Sequence, residues 1–399
     1  MSTLKRGLHG AVIGATKLFS KLLPDRVPVT FVGSEATREL CDAIGSFGLR
    51  QVLVVTDAGL VDVGIAARVT DALTAAGVKW VLYSGVEPDP TFTQVDAGLA
   101  LLRAEGCDAV LACGGGSPMD AAKVIAAAAG TGRTPAELEG RFKVRKAPLP
   151  LFAIPTTAGT GSEVTFAAVV SDSETHAKKF FVDPNLLPQM VALDPSLMLG
   201  LPPHITAATA IDALTHAVES WIAKTATPQT EAYARSAVRL VFENLPTAYS
   251  DGTDLSARKN MALAAYYGGL AFTRTSVGYV HAIAHNFGAR YGTPHGLANA
   301  IALPHVLEFS KSEAEDRLAG LADVIGLSGS SNAEKATAFI AAVRELEARV
   351  EIPSTLAALQ EADIPGIARD AVAEAHLNYP VPRYMTEPEC ETLLRAILA

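Results

Sequence analysis

DAVLACGGGSPMDAAK (residues 108–123) passes from an apolar run of mostly small residues, through three glycines, into a helical pattern. The run 108–113 is short, almost wholly apolar and ends at glycine, which predicts a buried strand. Gly114, Gly115 and Gly116 let backbone N–H groups approach an anion, and the N-terminus of the next helix adds partial positive charge. Ser117 is expected as that helix's N-cap, with Asp120 and Lys123 on the helix itself. The same glycines could also serve a strand-to-helix turn that holds no ligand. The loop is neither a GxGxxG fingerprint nor a Walker A loop.

Similar units flank this one. Residues 51–56 (QVLVVT), 80–83 and 149–154 repeat the strand signal, and 64–76, 93–105 and 117–129 read as helices. Alternating apolar strands and helices predict a parallel sheet covered on both faces. A second polar loop, Pro155-Thr156-Thr157-Ala158-Gly159-Thr160-Gly161, follows the fourth strand at the same edge, where open α/β sheets bind ligands. Asp57 ends the first strand of the series. A carboxylate there can accept from a ribose 2′-OH and repel a 2′-phosphate, which favours NAD over NADP; it could equally be a capping aspartate.

From Ile205 onward almost every segment is helical, with Pro304 and Pro353 expected to mark breaks. The expected organisation is an α/β dinucleotide-binding domain with a parallel sheet over residues 1–198, followed by an all-α metal-binding domain over residues 199–399. Residues 1–27 form a basic, amphipathic N-terminal extension, with Lys5, Arg6, Lys17 and Lys21 ahead of the first acid, Asp25. An extra helix docked on the domain or on a partner subunit accounts for it better than a membrane-surface helix or an organelle transit peptide, such leaders being usually richer in Ser and Arg.

The helical half carries the chemistry. Asp212 and His216 lie four apart and share a helix face, His281 and His285 repeat that spacing, and His295 follows. A single histidine on an apolar helix is usually a satisfied core residue, but two histidine-bearing helices with His295 point to a shared metal. Carboxylate and imidazole without thiolate suit Fe(II), Zn, Co or Mn. Such an ion would acidify an alcohol. His285 could be a fifth ligand, an orienting residue or a proton relay.

Bulk properties narrow the field. The chain has 399 residues, 49% of them hydrophobic, and a net charge of -9, which supplies ample core and disfavours nucleic-acid binding. Its four cysteines include no CxxC pair, so thiolate zinc sites of that spacing are excluded, and scattered thiols fit a cytoplasmic protein. No apolar run reaches the length of a membrane span.

Taken together, GGGSPMDAAK (114–123), IPTTAGTGSEVT (154–165), IDALTHAVES (211–220) and HAIAHNFGARYGTPHG (281–296) resemble the iron-containing, group III, alcohol dehydrogenases from about Thr30 to the C-terminus. The resemblance implies reversible alcohol–aldehyde oxidoreduction with NAD and one divalent metal, Fe2+ ahead of Zn2+. It implies Asp212, His216, His281 and His295 as ligands, with His285 an unliganded catalytic histidine near the nicotinamide. Gly115, Gly116 and Ser117 would contact the pyrophosphate, Asp57 the ribose, and Thr156, Thr157, Thr160 and Lys178 the rest of the cofactor; Asp120 is grouped with these. A homodimer or larger assembly and a small alcohol or aldehyde substrate are also implied. The rival reading keeps the fold but is glycerol dehydrogenase-like or dehydroquinate synthase-like; the latter needs a basic cluster, for which only Arg290 lies near the ligands. Two departures stand out: Asp89, where relatives often have Asn, and Phe166, which either favours an apolar substrate, with Phe272 lining the same space, or packs the core.

Overall fold

The computed structural model describes residues 13–14, 26–175 and 177–399. The amphipathic extension expected over residues 1–27 falls almost entirely outside these. Two compact units are formed, one running to Gly200 and the other from Leu201 to Ala399.

The first unit contains β1 (Val29–Val32), α1 (Ala36–Gly45), β2 (Val52–Val55), α2 (Ala58–Asp62), α3 (Ile65–Ala75), β3 (Trp80–Tyr83), α4 (Phe92–Glu105), β4 (Ala109–Gly114), α5 (Gly116–Thr131), β5 (Gly140–Arg141), β6 (Leu151–Pro155), β7 (Ala167–Ser171), β8 (Lys178–Val182) and β9 (Met190–Leu193). Six strands form a parallel sheet in the order β1-β9-β6-β4-β2-β3. Its inner strands β2, β4, β6 and β9 are buried at every position, which is why they read as continuous apolar runs rather than alternating ones. The edge strand β1 alternates less cleanly and exposes Val29 and Val32. A smaller sheet, β5-β8-β7, pairs β8 antiparallel with β7.

Chain order reverses between β2 and β4: β2 continues outward to β3, whereas β4 continues toward β6. That is the topological switch point, and the loops after β2, β4 and β6 all emerge at its carboxyl edge.

The second unit contains α6 (Pro203–Ile222), α7 (Pro228–Ser250), α8 (Leu255–Thr275), α9 (Tyr279–Tyr291), α10 (His295–Val324), α11 (Asn332–Arg349), α12 (Ile364–Asn378) and α13 (Glu387–Arg395). Residues 210–222 of α6 are all buried, the mark of a central helix enclosed by its neighbours, here α7, α8 and α10. Pro304 does not break a helix as expected. It lies buried inside α10, and the non-helical residue of that helix is Ala314 (φ −121°, ψ 17°). A proline in a long, well-packed helix forfeits one backbone hydrogen bond without ending the helix, because tertiary burial outweighs that loss. Among the described residues, no helix is long and apolar enough to cross a membrane.

Candidate metal centre and nucleotide loops

α6 presents Asp212 and His216 one turn apart, and α9 presents His281. One ligand atom from each of the three lies within 4.8 Å of the others, and all three side chains are buried. Asp212 Oδ1 is 4.0 Å from His216 Nε2 and 3.8 Å from His281 Nε2. His295, the first residue of α10, stands at the outer side of the group: its Nε2 is 3.6 Å from Asp212 Oδ1, and its side chain is 37% exposed. α10 approaches α6 closely enough that a Cβ on Gly296 would collide with the Ala208 carbonyl, which accounts for glycine after His295.

The donor set fits a divalent cation. His281 Nε2 is buried and has no hydrogen bond among the described residues. Burial holds the His281 imidazole well below its ordinary pKa, and the neighbouring His216, His295 and His285 add to the effect, so it is neutral and has a lone pair. The ring of His216 stacks on Phe272 at 4.1 Å and on His281 at 4.6 Å.

Three side chains absent from the sequence reading brace this group. Asn299 Nδ2 donates to Asp212 Oδ1 at 2.7 Å and lies 3.1 Å from His295 Nε2. Glu219, on α6, is buried and lies 2.7 Å from His281 Nδ1. Desolvation pushes its carboxyl up to about 8, against the opposing pull of backbone N–H donors. Glu374, on α12, lies 2.8 Å from His285 Nδ1, and Tyr379 Oη donates to the same carboxylate oxygen. The only local signal was Glu219's position three residues beyond His216; Asn299 and Glu374 come from distant parts of the chain. Arg290 pairs with Asp370 at 3.1 Å.

In the sheet unit, the two expected loops adjoin. Gly114 pairs in register with Pro155, and Thr156 N donates to Gly114 O at 3.1 Å. Gly114 has φ +155°, and a Cβ there would sit 2.5 Å from Pro118. A Cβ on Gly115 would meet Thr157 Oγ1 at 3.3 Å, and one on Gly116 would meet Thr160 Cγ2 at 3.0 Å. Ser117 is not the N-cap. α5 starts at Gly116, its N-cap is Gly115, and no side chain caps it. Gly116 enters the helix one residue ahead of Ser117 while Gly115 stays extended, so the capping position falls on a residue with no side chain and the first N–H groups of the helix have no side-chain cap.

Asp57 lies two residues beyond β2 and is the N-cap of α2, accepting from Leu60 N at 2.9 Å. Asp120 accepts from Ser162 Oγ at 2.8 Å and Val169 N at 2.9 Å, so its carboxylate is engaged inside the unit. Lys123 is 1% exposed; its Nζ donates to Ser162, Thr165 and the Ala167 carbonyl at 2.7–2.9 Å, and burial lowers it to about 8. Lys178 Nζ lies 3.1 Å from Asp89 Oδ1, and Asp89 takes positive φ (56°). Phe166 is half-buried.

A six-stranded parallel sheet with a glycine-rich turn at its switch point, and a helical unit with a buried Asp/His cluster, define a metal-dependent oxidoreductase class. The profile described as "Iron-containing alcohol dehydrogenase" matches residues 28–195, and "Fe-containing alcohol dehydrogenase family, C-terminal" matches residues 206–398. Alcohol dehydrogenase 4 of Saccharomyces cerevisiae is 39% identical over 89% of this chain and 93% of its own length. The NAD-dependent methanol dehydrogenase of Bacillus methanolicus is 38% identical over 93% of this chain and 98% of its own. A crystal structure of 1,3-propanediol oxidoreductase superposes with a TM-score of 0.90 at 38% identity, covering 93% of this chain and 98% of that one. The chain belongs to the iron-containing alcohol dehydrogenase family, and it is an alcohol–aldehyde oxidoreductase.

Proposed function

We propose that this chain moves hydride between a small alcohol or aldehyde and NAD, using one divalent cation held by Asp212, His216, His281 and His295. The observation that carries the reading is the buried Asp212–His216–His281 group, in which His281 Nε2 has no hydrogen bond among the described residues. Fe(II) is favoured over Zn(II), since the donors are imidazole and carboxylate only and the family is iron-containing. A cation there supplies Lewis acidity, lowering the pKa of an alcohol and polarising a carbonyl.

The residues do the remaining work. Asp212 brings the negative charge, and the neutral imidazole of His281 presents a lone pair. His285, its Nδ1 held 2.8 Å from Glu374 Oε1, serves as the proton-handling residue. Phe272 covers one face of His216 and favours an apolar substituent on the substrate. Gly115, Gly116 and Ser117 offer the uncapped N-terminus of α5 to the pyrophosphate. Asp57 takes the ribose and disfavours NADP; Thr156, Thr157, Thr160 and Lys178 line the rest. The Bacillus relative's printed dependence on NAD supports this choice. Asp120 acts by fixing the loop rather than by touching the cofactor.

The reading includes a cytoplasmic location, supported by four free, buried thiols, and a homodimer or larger assembly, which light scattering would test. For the reaction, chelator-stripped protein is reloaded with Fe(II) or Zn(II), and nicotinamide reduction is followed across a panel of alcohols, with aldehydes in reverse. Metal-restored turnover with NAD is expected, and His281→Ala should abolish both metal binding and turnover. Metal-loaded protein inert toward every alcohol and aldehyde would overturn the reading.

A further inference from the structure

We propose that Glu219 is the positioning residue of the metal centre, fixing the tautomer and aim of His281 and joining the helix of Asp212 and His216 to the helix of His281 and His285. This rests on the metal-centre reading above.

Glu219 is buried on α6, three residues past His216 and therefore near the same helix face. Its carboxylate has three donors from one neighbouring segment. Gly278 N donates to Oε2 at 2.8 Å, Val280 N donates to Oε1 at 2.8 Å, and His281 Nδ1 lies 2.7 Å from Oε2. Gly278 is the N-cap of α9, so one side chain supplies the capping acceptor that α9's own sequence lacks and holds the imidazole one turn in. Gly278 N and Val280 N engage both oxygens as acceptors and oppose the upward push of burial. In the carboxylate form that these donors favour, Glu219 accepts from His281 as well, which puts the imidazole proton on Nδ1 and the lone pair on Nε2. Nε2 is the atom that faces Asp212. Gly278 is part of the same device: a Cβ there would come 2.7 Å from Glu219 Oε1 and displace the carboxylate.

A helix cap alone would need only the two amide donors. The third contact makes the prediction specific. Glutamine at 219 has the same length, but its NH2 must oppose either an amide N–H or His281 Nδ1–H. Relief by tautomer exchange would put the proton on Nε2 and block the ligand position. Carboxylate partners of ligating histidines govern metal affinity by about 10- to 100-fold.

The test uses the full chain stripped of metal and titrated with Co2+ against a chromogenic chelator, with the visible spectrum of bound Co2+ recorded. Glu219→Gln is expected to raise the Co2+ Kd about 10- to 100-fold and alter the spectrum. Ser331→Ala, which removes the N-cap of α11, should lower Tm and leave Co2+ affinity unchanged, separating stability from ligand aim. Wild-type affinity and spectrum in folded Glu219→Gln overturn the proposal and leave the metal-centre reading intact. A wild-type protein that binds no Co2+ overturns both. Should Glu219→Gln fail to fold, Gly278→Ala is measured instead: the same loss is expected, and unchanged affinity overturns the proposal.

Discussion

His285 Nδ1 lies 2.8 Å from Glu374 Oε1, and the Tyr379 hydroxyl donates to that same oxygen at 2.5 Å. Two donors on one carboxylate oxygen leave His285 little rotational freedom, and its ring lies nearly parallel to His295 (18°, 5.6 Å between centroids). Glu374→Gln replaces a charge-assisted contact by a neutral one and releases the ring. A fall in kcat of about 10- to 100-fold is expected with KM changed by about twofold or less, because the lost element is proton handling rather than substrate binding. Steady-state kinetics decide it. A rise in KM at constant kcat would instead place Glu374 in substrate binding.

Asp57 has two separable jobs, capping α2 through Oδ1 and placing negative charge just beyond β2. Asn caps helices about as well as Asp, so Asp57→Asn keeps the first and removes the second. The variant should retain wild-type Tm while the NAD-over-NADP preference in kcat/KM narrows by about tenfold, roughly the weight of one charged contact. An unchanged preference would remove Asp57 from the discrimination.

Lys123 ties α5 to the threonine loop by three hydrogen bonds and lies 4.0 Å from Asp120. Lys123→Met retains the buried methylene stem but strips Asp120 of its cation and the Ala167 carbonyl of a donor. Removing one partner of a buried pair costs about 3–5 kcal/mol. Urea titration should show that loss, and NADH titrated by its fluorescence should bind more weakly because the loop beside Gly115 and Gly116 is released. A urea midpoint equal to wild type would contradict this account.

Much of this was legible in the chain, for physical reasons. β2, β4 and β6 are buried on both faces, so each leaves a continuous apolar run, with Gly at the end of β4 and Pro at both ends of β6. β3, Trp80–Tyr83, carries the same signal at a half-exposed edge. β1, β9 and the small sheet were not foreseen. Met190–Leu193 is four residues long and follows an antiparallel hairpin instead of a helix, and KKFFV in β8 begins with two charges. Within the site, Asp212 and His216 share one turn and announce themselves by spacing. Glu219 meets His281 across 62 positions, Asn299 meets Asp212 across 87 and Glu374 meets His285 across 89, and no local period records such pairs. Tertiary packing creates them.

Glu347, on α11, is 6% exposed, and its Oε1 has no hydrogen bond among the described residues. Burial raises its carboxyl well above the ordinary value of 4.5, with Arg344 opposing. The folded state therefore keeps a proton that the unfolded chain has already lost, over the interval between the two pKa values. The stability associated with that proton is complete below the unfolded value and is lost as pH rises through the folded one. Glu347→Gln matches the shape and removes the titration, so its stability should vary less with pH. Urea denaturation at a series of pH values should find the variant gaining on wild type as pH climbs out of the carboxylate range, with the gap closing again under acid conditions where wild-type Glu347 is protonated in both states. A gap independent of pH would mean that Glu347 is ionised in the folded protein, held by a cation or by solvent, and that burial does not govern it.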